Sequence, residues 1–229
     1  MSNNYGPRIV TDGLVSCFDA ADRNSYPGTG TTWYDISGND NHATSVSWAS
    51  SYLSNNGGVI NYPAQNNTLT TSKTASQIGL SDNDGITMSV FLNKKSNPPA
   101  SNLQGMIGFP TLRIWNTTYF YVAFRGTNET EYSPNWSNAT EAALRDQWIE
   151  LCFTWQYNVL KFYFNGQLIK TQTLNVYLKS IQSDYFRIGA GMGYYNFYGS
   201  ISNIKLYNRV LMSSEVLQNH NATKGRFGL

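Results

Sequence analysis

Short apolar runs alternate with turn residues along almost the whole chain, and most of the runs keep a period of two. "LVSCFDA" (14–20), "GVINY" after a Gly-Gly pair, "ITMSVFLNKK" (86–95), "TLRIW" and "YFYVAFRG" each read as strands. The densest signal covers 147–173, "QWIELCFTWQYNVLKFYFNGQLIKTQT". There one strand turns at Tyr157-Asn158, and "VLKFYF" meets Asn165-Gly166. Asn-Gly suits a type I′ turn because both central residues must take positive φ. "QLIKTQT" then returns antiparallel, and "YFRIGAG" and "FYGSISNIKLYN" supply two later strands. One stretch, "MSSEVLQNHNATKG", predicts a helix of about three turns. Ser213 or Ser214 is its expected N-cap, Glu215 lies in the first turn, and it stops near Gly225. Val216, Leu217 and His220 face the sheet. "TEAALRD" offers a single turn.

About a dozen strands with almost no helix predict an all-β, two-sheet antiparallel sandwich with one short C-terminal helix. No linker and no internal repeat divides the chain. The reading is one domain at 13–224, between an N-terminal arm (1–12) and a C-terminal tail (225–229). The end "KGRFGL" puts Phe227 close to a terminus, which predicts docking on the domain or on a neighbour.

Composition narrows the function. Net charge is +2 and charged residues are 13% of the chain, with Lys and Arg dispersed. Neither a nucleic-acid stripe nor a membrane-binding field is present. No apolar run approaches the ~20 residues that cross a bilayer, and "MSNNYGPRIV" lacks the basic start and apolar core of a signal peptide. Cys17 and Cys152 each sit in an apolar strand-like run, as buried free thiols or as a bridge between strands.

Two longer stretches resemble a known family. "GLVSCFDAADRNSYPGTGTTWYDISGNDNHAT" resembles the opening of concanavalin-A-like, laminin-G-like jelly-roll domains, and "FYGSISNIKLYNRVLMSSEVLQNHNATKGRFGL" resembles their closing strand, helix and terminus. The combination is similar to domains in structural proteins of tailed bacteriophages. "SVFLNKK" departs from the family's Trp-containing strand, and 96–146 lies outside the resemblance. The resemblance implies a jelly roll on the virion surface, made in the host cytoplasm, on capsid or tail. Its implied partners are other virion proteins, copies of itself and host surface glycans.

Candidate chemistry is thin. Sandwich glycanases need a carboxyl pair flanking the scissile bond at ~5 Å. The nearest pair here, Glu129 and Glu131, falls in turn-rich "RGTNETEYS". His42 and His220 stand alone, and no "GxSxG" elbow occurs. The expectation is therefore no enzyme and no cofactor. Calcium is the one candidate ion, since hard cations need several oxygens. Asp35, Asn39, Asp40 and Asn41 in "DISGNDNH", and Asp82 and Asp84 in "SDNDG", offer them. Asp, Asn and Gly also crowd turns for conformational reasons alone. Rings near amides and hydroxyls suit either sugar faces or protein partners. Trp115, Tyr132, Trp136, Tyr194, Tyr195 and Asn196 are the candidate contacts. Two roles follow: a virion structural module acting through protein contacts, or a carbohydrate-binding adhesin.

Overall fold

A computed structural model describes residues 8–45, 51–63, 68–81, 85–96, 104–136, 141–190 and 197–229. Among them, sixteen strands form two eight-stranded antiparallel sheets. Sheet A contains β1 (Leu14–Asp19), β4 (Ser51–Leu53), β5 (Val59–Tyr62), β7 (Ile86–Lys94), β12 (Trp148–Gln156), β13 (Val159–Phe164), β14 (Gln167–Thr173) and β16 (Gly199–Tyr207). Its order is β14–β13–β12–β7–β16–β5–β4, with β1 also paired to β16. Sheet B contains β2 (Thr32–Trp33), β3 (Ala43–Thr44), β6 (Leu69–Thr74), β8 (Gln104–Gly108), β9 (Leu112–Asn116), β10 (Phe120–Arg125), β11 (Glu131–Tyr132) and β15 (Tyr185–Ile188). Its order is β11–β10–β9–β8–β15–β6–β3–β2.

The strands read from the sequence all form, and the Asn165-Gly166 turn takes φ of +47° and +77°, as its residue types dictate. The extra strands are short edge pieces plus β6 and β8, whose "LTTSKT" and "QGMIG" carry little apolar signal. Between the sheets lies one core that includes Phe18, Trp33, Val90, Ile114, Phe124, Trp155 and Phe162.

β7 shows how the layers are arranged. Ile86, Met88, Val90 and Leu92 enter the core, yet the alternate Thr87, Ser89, Phe91 and Asn93 are buried as well. Their cover is the C-terminal helix α1 (Ser213–Thr223) and the 3-10 turn Lys224–Phe227 that extends it. Phe227 stacks on Phe91 at 5.1 Å and packs on Trp148 at 4.4 Å. Arg226 grips both oxygens of Asp19 at 2.8 and 3.0 Å and also reaches Ser202 Oγ, Asn56 O and Gly58 O. The tail is thus docked on its own domain. At the other end, Val10 N donates to Asn219 Oδ1, Tyr207 OH donates to Val10 O, and Gln218 Nε2 donates to Arg8 O. Residues 8–10 of the arm are therefore fastened to α1 and the sheet.

The helix start differs from the expectation. Its N-cap is Met212 rather than Ser213 or Ser214. Glu215 makes this workable: its Oε2 accepts the Met212 N–H at 2.7 Å, and Arg209 holds the same carboxylate through two nitrogens at 2.6 and 2.8 Å. This pairing holds the Glu215 carboxyl below its ordinary pKa. Val216 and His220 are buried and Leu217 is half-buried, on the face read from the spacing.

Candidate functional site

The segment that gathers Asp35, Asn39, Asp40, Asn41 and His42 is a turn lock. Asp35 Oδ1 accepts the Cys17 and Ser37 N–H groups at 2.8 and 3.0 Å, and Oδ2 accepts Ser37 Oγ and the Asn41 N–H at 2.8 and 3.1 Å. His42 Nδ1 accepts the Asp35 N–H at 3.2 Å, which places its proton on Nε2. Asn41 is fully buried and bridges Ser16 Oγ to the Lys73 N–H. Asn39 Nδ2 donates to Val15 O, Lys73 Nζ donates to Asn39 O, and Asp40 sits in the left-handed region at φ +52°. Four donors converge on the two carboxylate oxygens of Asp35 and occupy their lone pairs. Asp35 thus serves as the lock of the turn, and Asp40 contributes its left-handed backbone. Asp82 and Asp84 lie outside the described residues, as do Tyr194, Tyr195 and Asn196. No group of three or more His, Cys, Asp or Glu gathers among the described residues.

The other reactive groups are committed elsewhere. Glu129, in a turn at φ +64°, pairs with Lys179 at 2.7 Å, and that contact holds it below its ordinary pKa. Glu131 pairs with Arg113. Cys17, Lys205, Ser89 and Cys152 are successive cross-strand partners on β1, β16, β7 and β12. Three strand spacings set the thiols ~14 Å apart, beyond the reach of a disulfide. Both are free and buried, and burial pushes Cys17 up to about 12 and Cys152 well above its ordinary value, so neither forms a ready thiolate.

Of the candidate aromatics, Trp136 belongs to the core. It is 2% exposed, donates Nε1–H to Tyr163 O at 2.9 Å, and packs edge-on against Phe153 and Phe162. Its polar sequence neighbours, "SPNWSN", conceal this. Tyr132 stacks on the core residue Phe124 at 5.1 Å, so it faces inward beside its cross-strand partner.

Trp115 faces the other way. Its neighbours Leu112 and Ile114 enter the core, so Arg113 and Trp115 point outward, as do Tyr121 and Ala123 opposite them. Trp115 and Tyr121 rings lie 5.9 Å apart, Tyr119 meets Tyr121 edge-on at 6.3 Å, and the Arg113 guanidinium sits 5.7 Å from the Trp115 ring centre. Beside this aromatic shoulder runs a row of registered partners across seven strands. In order they are Ala123, Arg113, Gly108, Arg187, Thr70, Thr44 and Thr32. Gly108 keeps the row low. A Cβ there would meet Leu112 O at 2.5 Å and Arg113 Cα at 2.4 Å. Arg187 is half-buried and makes no hydrogen bond or ion pair among the described residues. The face thus combines half-buried rings, threonine hydroxyls and the half-buried Arg187 guanidinium, while Ala123, Arg113 and Gly108 at the far end of the row are buried.

A jelly roll with this outward face has identifiable relatives. The profile of the laminin G-like branch, described as the concanavalin A-like lectin/glucanases superfamily, matches residues 64–217. The chain belongs to the concanavalin A-like lectin/glucanase superfamily. No curated protein matches it in sequence. Among solved structures it is similar to the binding domain of Paraclostridial Mosquitocidal Protein 1, with a TM-score of 0.71 and 15% identity over 93% of this chain and 52% of that one. The botulinum neurotoxin serotype G binding domain gives 0.67 and 15% over 90% and 50%. Trypanosoma rangeli sialidase gives 0.65 and 16% over 95% and 33%. The chain therefore spans about half, or less, of these proteins, and at such identities the likeness is one of fold.

Tyr121, Tyr119, Arg113 and Arg187 are not among the candidates that the sequence offers. The alternation in "LRIW" and "YFYVAF" carries the signal, because it sends Trp115 and Tyr121 to the same side.

Proposed function

We propose that the chain is a non-enzymatic glycan-binding module that reads surface carbohydrate along the outer face of sheet B. The carrying observation is the accessible part of the registered row, Arg187, Thr70, Thr44 and Thr32, on the same face as the half-buried Trp115–Tyr121 pair. Rings stack on the apolar faces of sugars, while threonine hydroxyls and the Arg187 fork donate to or accept from sugar hydroxyls. The lectin-bearing superfamily supports this reading. Glu129 and Glu131 are each held in an ion pair, with Lys179 and Arg113 respectively. The site residues are Trp115, Tyr121 and Arg187, with the buried Arg113 beneath the Trp115 ring. A glycan array on the intact chain tests it: specific binding lost in Trp115→Ala and Arg187→Ala supports the reading, and no binding to any glycan refutes it.

The setting we propose is the surface of a tailed-phage virion, on the resemblance of the chain's opening and closing segments. Within that setting the adhesin role is favoured over lattice decoration through exchanged arms. Residues 8–10 and 224–227 are engaged by their own domain, so they are not free to reach a neighbour. Counting copies on purified particles separates the two roles: a handful at a tail fits adhesion, and hundreds at fixed stoichiometry fit decoration.

A further inference from the structure

We propose that a cavity beside the Tyr157-Asn158 turn is a second binding site, one that takes a single carboxylated sugar residue of the uronic acid type. It lies on sheet A, on the opposite layer from the face discussed above, and does not depend on that reading. The cavity measures about 210 Å³ and is lined by Thr154, Gln156, Tyr157, Val159, Lys161 and Val210. Thr154 and Lys161 are cross-strand partners, while Phe153, Trp155, Leu160 and Phe162 between them enter the core. The lining side chains therefore point outward, next to Val210 from the segment before α1.

Two independent features mark the cavity. The first is Lys161, half-buried and without a hydrogen bond or ion pair among the described residues. A half-buried ammonium with no partner among the described residues offers charge-assisted hydrogen bonds to one anionic group. The second is Tyr157, which holds the left-handed region at φ +54° with its ring 59% exposed. A two-residue hairpin normally gives such a position to Gly, Asn or Asp, and a bulky side chain there costs stability. The surroundings enforce it. Trp155 Nε1 donates to Tyr157 O at 3.0 Å, and Asn158 exchanges hydrogen bonds with Leu174 through its side chain and its carbonyl, both at 2.8 Å. The strained ring stands at the cavity mouth.

The lining selects the ligand. One lysine matches one carboxylate, whereas a phosphate is better held by several cations or an arginine fork. Gln156 both donates and accepts, as hydroxyls require, while Thr154, 2% exposed and hydrogen-bonded to Tyr163, forms the floor. Tyr157, Val159 and Val210 supply apolar surface for one ring face. The volume is below that of drug-sized pockets and suits a single sugar ring.

The test is an amide-resolved NMR titration of the full chain at neutral pH with glucuronate, glucose and acetate. Glucuronate is expected to shift residues 154–161 and 210. Glucose and acetate are each expected to bind about tenfold more weakly, since each lacks one half of the recognition. Lys161→Met lowers the glucuronate affinity by about tenfold, and Lys161→Arg retains most of it. Tyr157→Asn keeps the left-handed turn, so it abolishes binding while leaving the melting temperature unchanged or higher. Absence of shifts at these residues, equal affinity for acetate or glucose, or undiminished binding by Lys161→Met would overturn the assignment.

Discussion

On the outer face of sheet A, β7, β12 and β16 carry Ser89, Asn93, Glu150, Asn203 and Lys205, all of them buried beneath α1 and the C-terminal turn. On the outer face of sheet B, equivalent positions carry Thr70, Thr44, Thr32, Arg187 and the Trp115–Tyr121 pair, with Thr44 exposed and Trp115, Tyr121 and Arg187 half-buried. Both faces are polar for a sandwich. On sheet A two of these groups are paired within the chain: Glu150 Oε2 meets His220 Nδ1 at 2.9 Å, and Lys205 Nζ donates to Asn203 Oδ1 at 2.8 Å, while Ser89 Oγ, Asn93 Oδ1, Glu150 Oε1 and Asn203 Nδ2 are buried with no hydrogen bond among the described residues. On sheet B Arg187 meets none among the described residues. One face is an internal joint under the C-terminal helix, and the other keeps Thr44, Thr32, Thr70 and Arg187 at least partly accessible. Substitutions on the two should fail in different ways.

The largest effect belongs to the joint. His220→Ala leaves Glu150 buried at 0% exposure, without its imidazole and with Oε1 already unpartnered. A loss of about 3–5 kcal/mol in urea unfolding is expected, and the double change Glu150→Met with His220→Leu should recover most of it. A single-mutant loss below about 1 kcal/mol would show that the pair does not anchor the helix.

Next comes the turn on which the helix rests. Gly166 has φ +77°, and a Cβ there would lie 2.7 Å from His220 Cβ. Gly166→Ala should cost about 1–3 kcal/mol, part from the backbone and part from lifting α1. In the His220→Gly background the second part should vanish, which a double-mutant cycle reads directly.

A smaller effect is expected at the helix start. Arg209 lowers the folded pKa of Glu215 below its unfolded value. The resulting stability is therefore fully present above the unfolded pKa and is lost as pH falls through the folded one. Glu215→Gln should cost about 1 kcal/mol at neutral pH and flatten that part of the acid-unfolding curve. An unchanged curve would remove Glu215 from the account.

Sheet A's internal joint is partly legible in the amino-acid sequence. The ribbon at 147–173 can be read there because Asn165-Gly166 states its own turn and the flanking runs alternate cleanly. The spacing of His220 from Val216 turns the imidazole toward the sheet. β6 and β8 stay hidden because "LTTSKT" and "QGMIG" lack the large apolar residues that mark a strand. Trp136 looks like a surface ring for a non-local reason: its burial depends on Phe153 and Phe162, contributed by strands further along the chain. The same holds for the buried outer side of β7, whose polar residues look solvent-facing until α1 closes over them. The Asp35 cluster shows the converse case. Its oxygens suggest a cation, yet both carboxylate oxygens are taken by donors, three of them backbone N–H groups.

The central claim is that the outer face of sheet B binds glycan, and its most direct test is Trp115→Ala, read twice. Trp115 is half-buried and outside the core cluster, so unfolding should change by no more than about 1 kcal/mol. On the glycan array the same variant should lose its binding by tenfold or more, about 1.4 kcal/mol. Wild-type binding that survives Trp115→Ala undiminished would contradict the account and move recognition off this face.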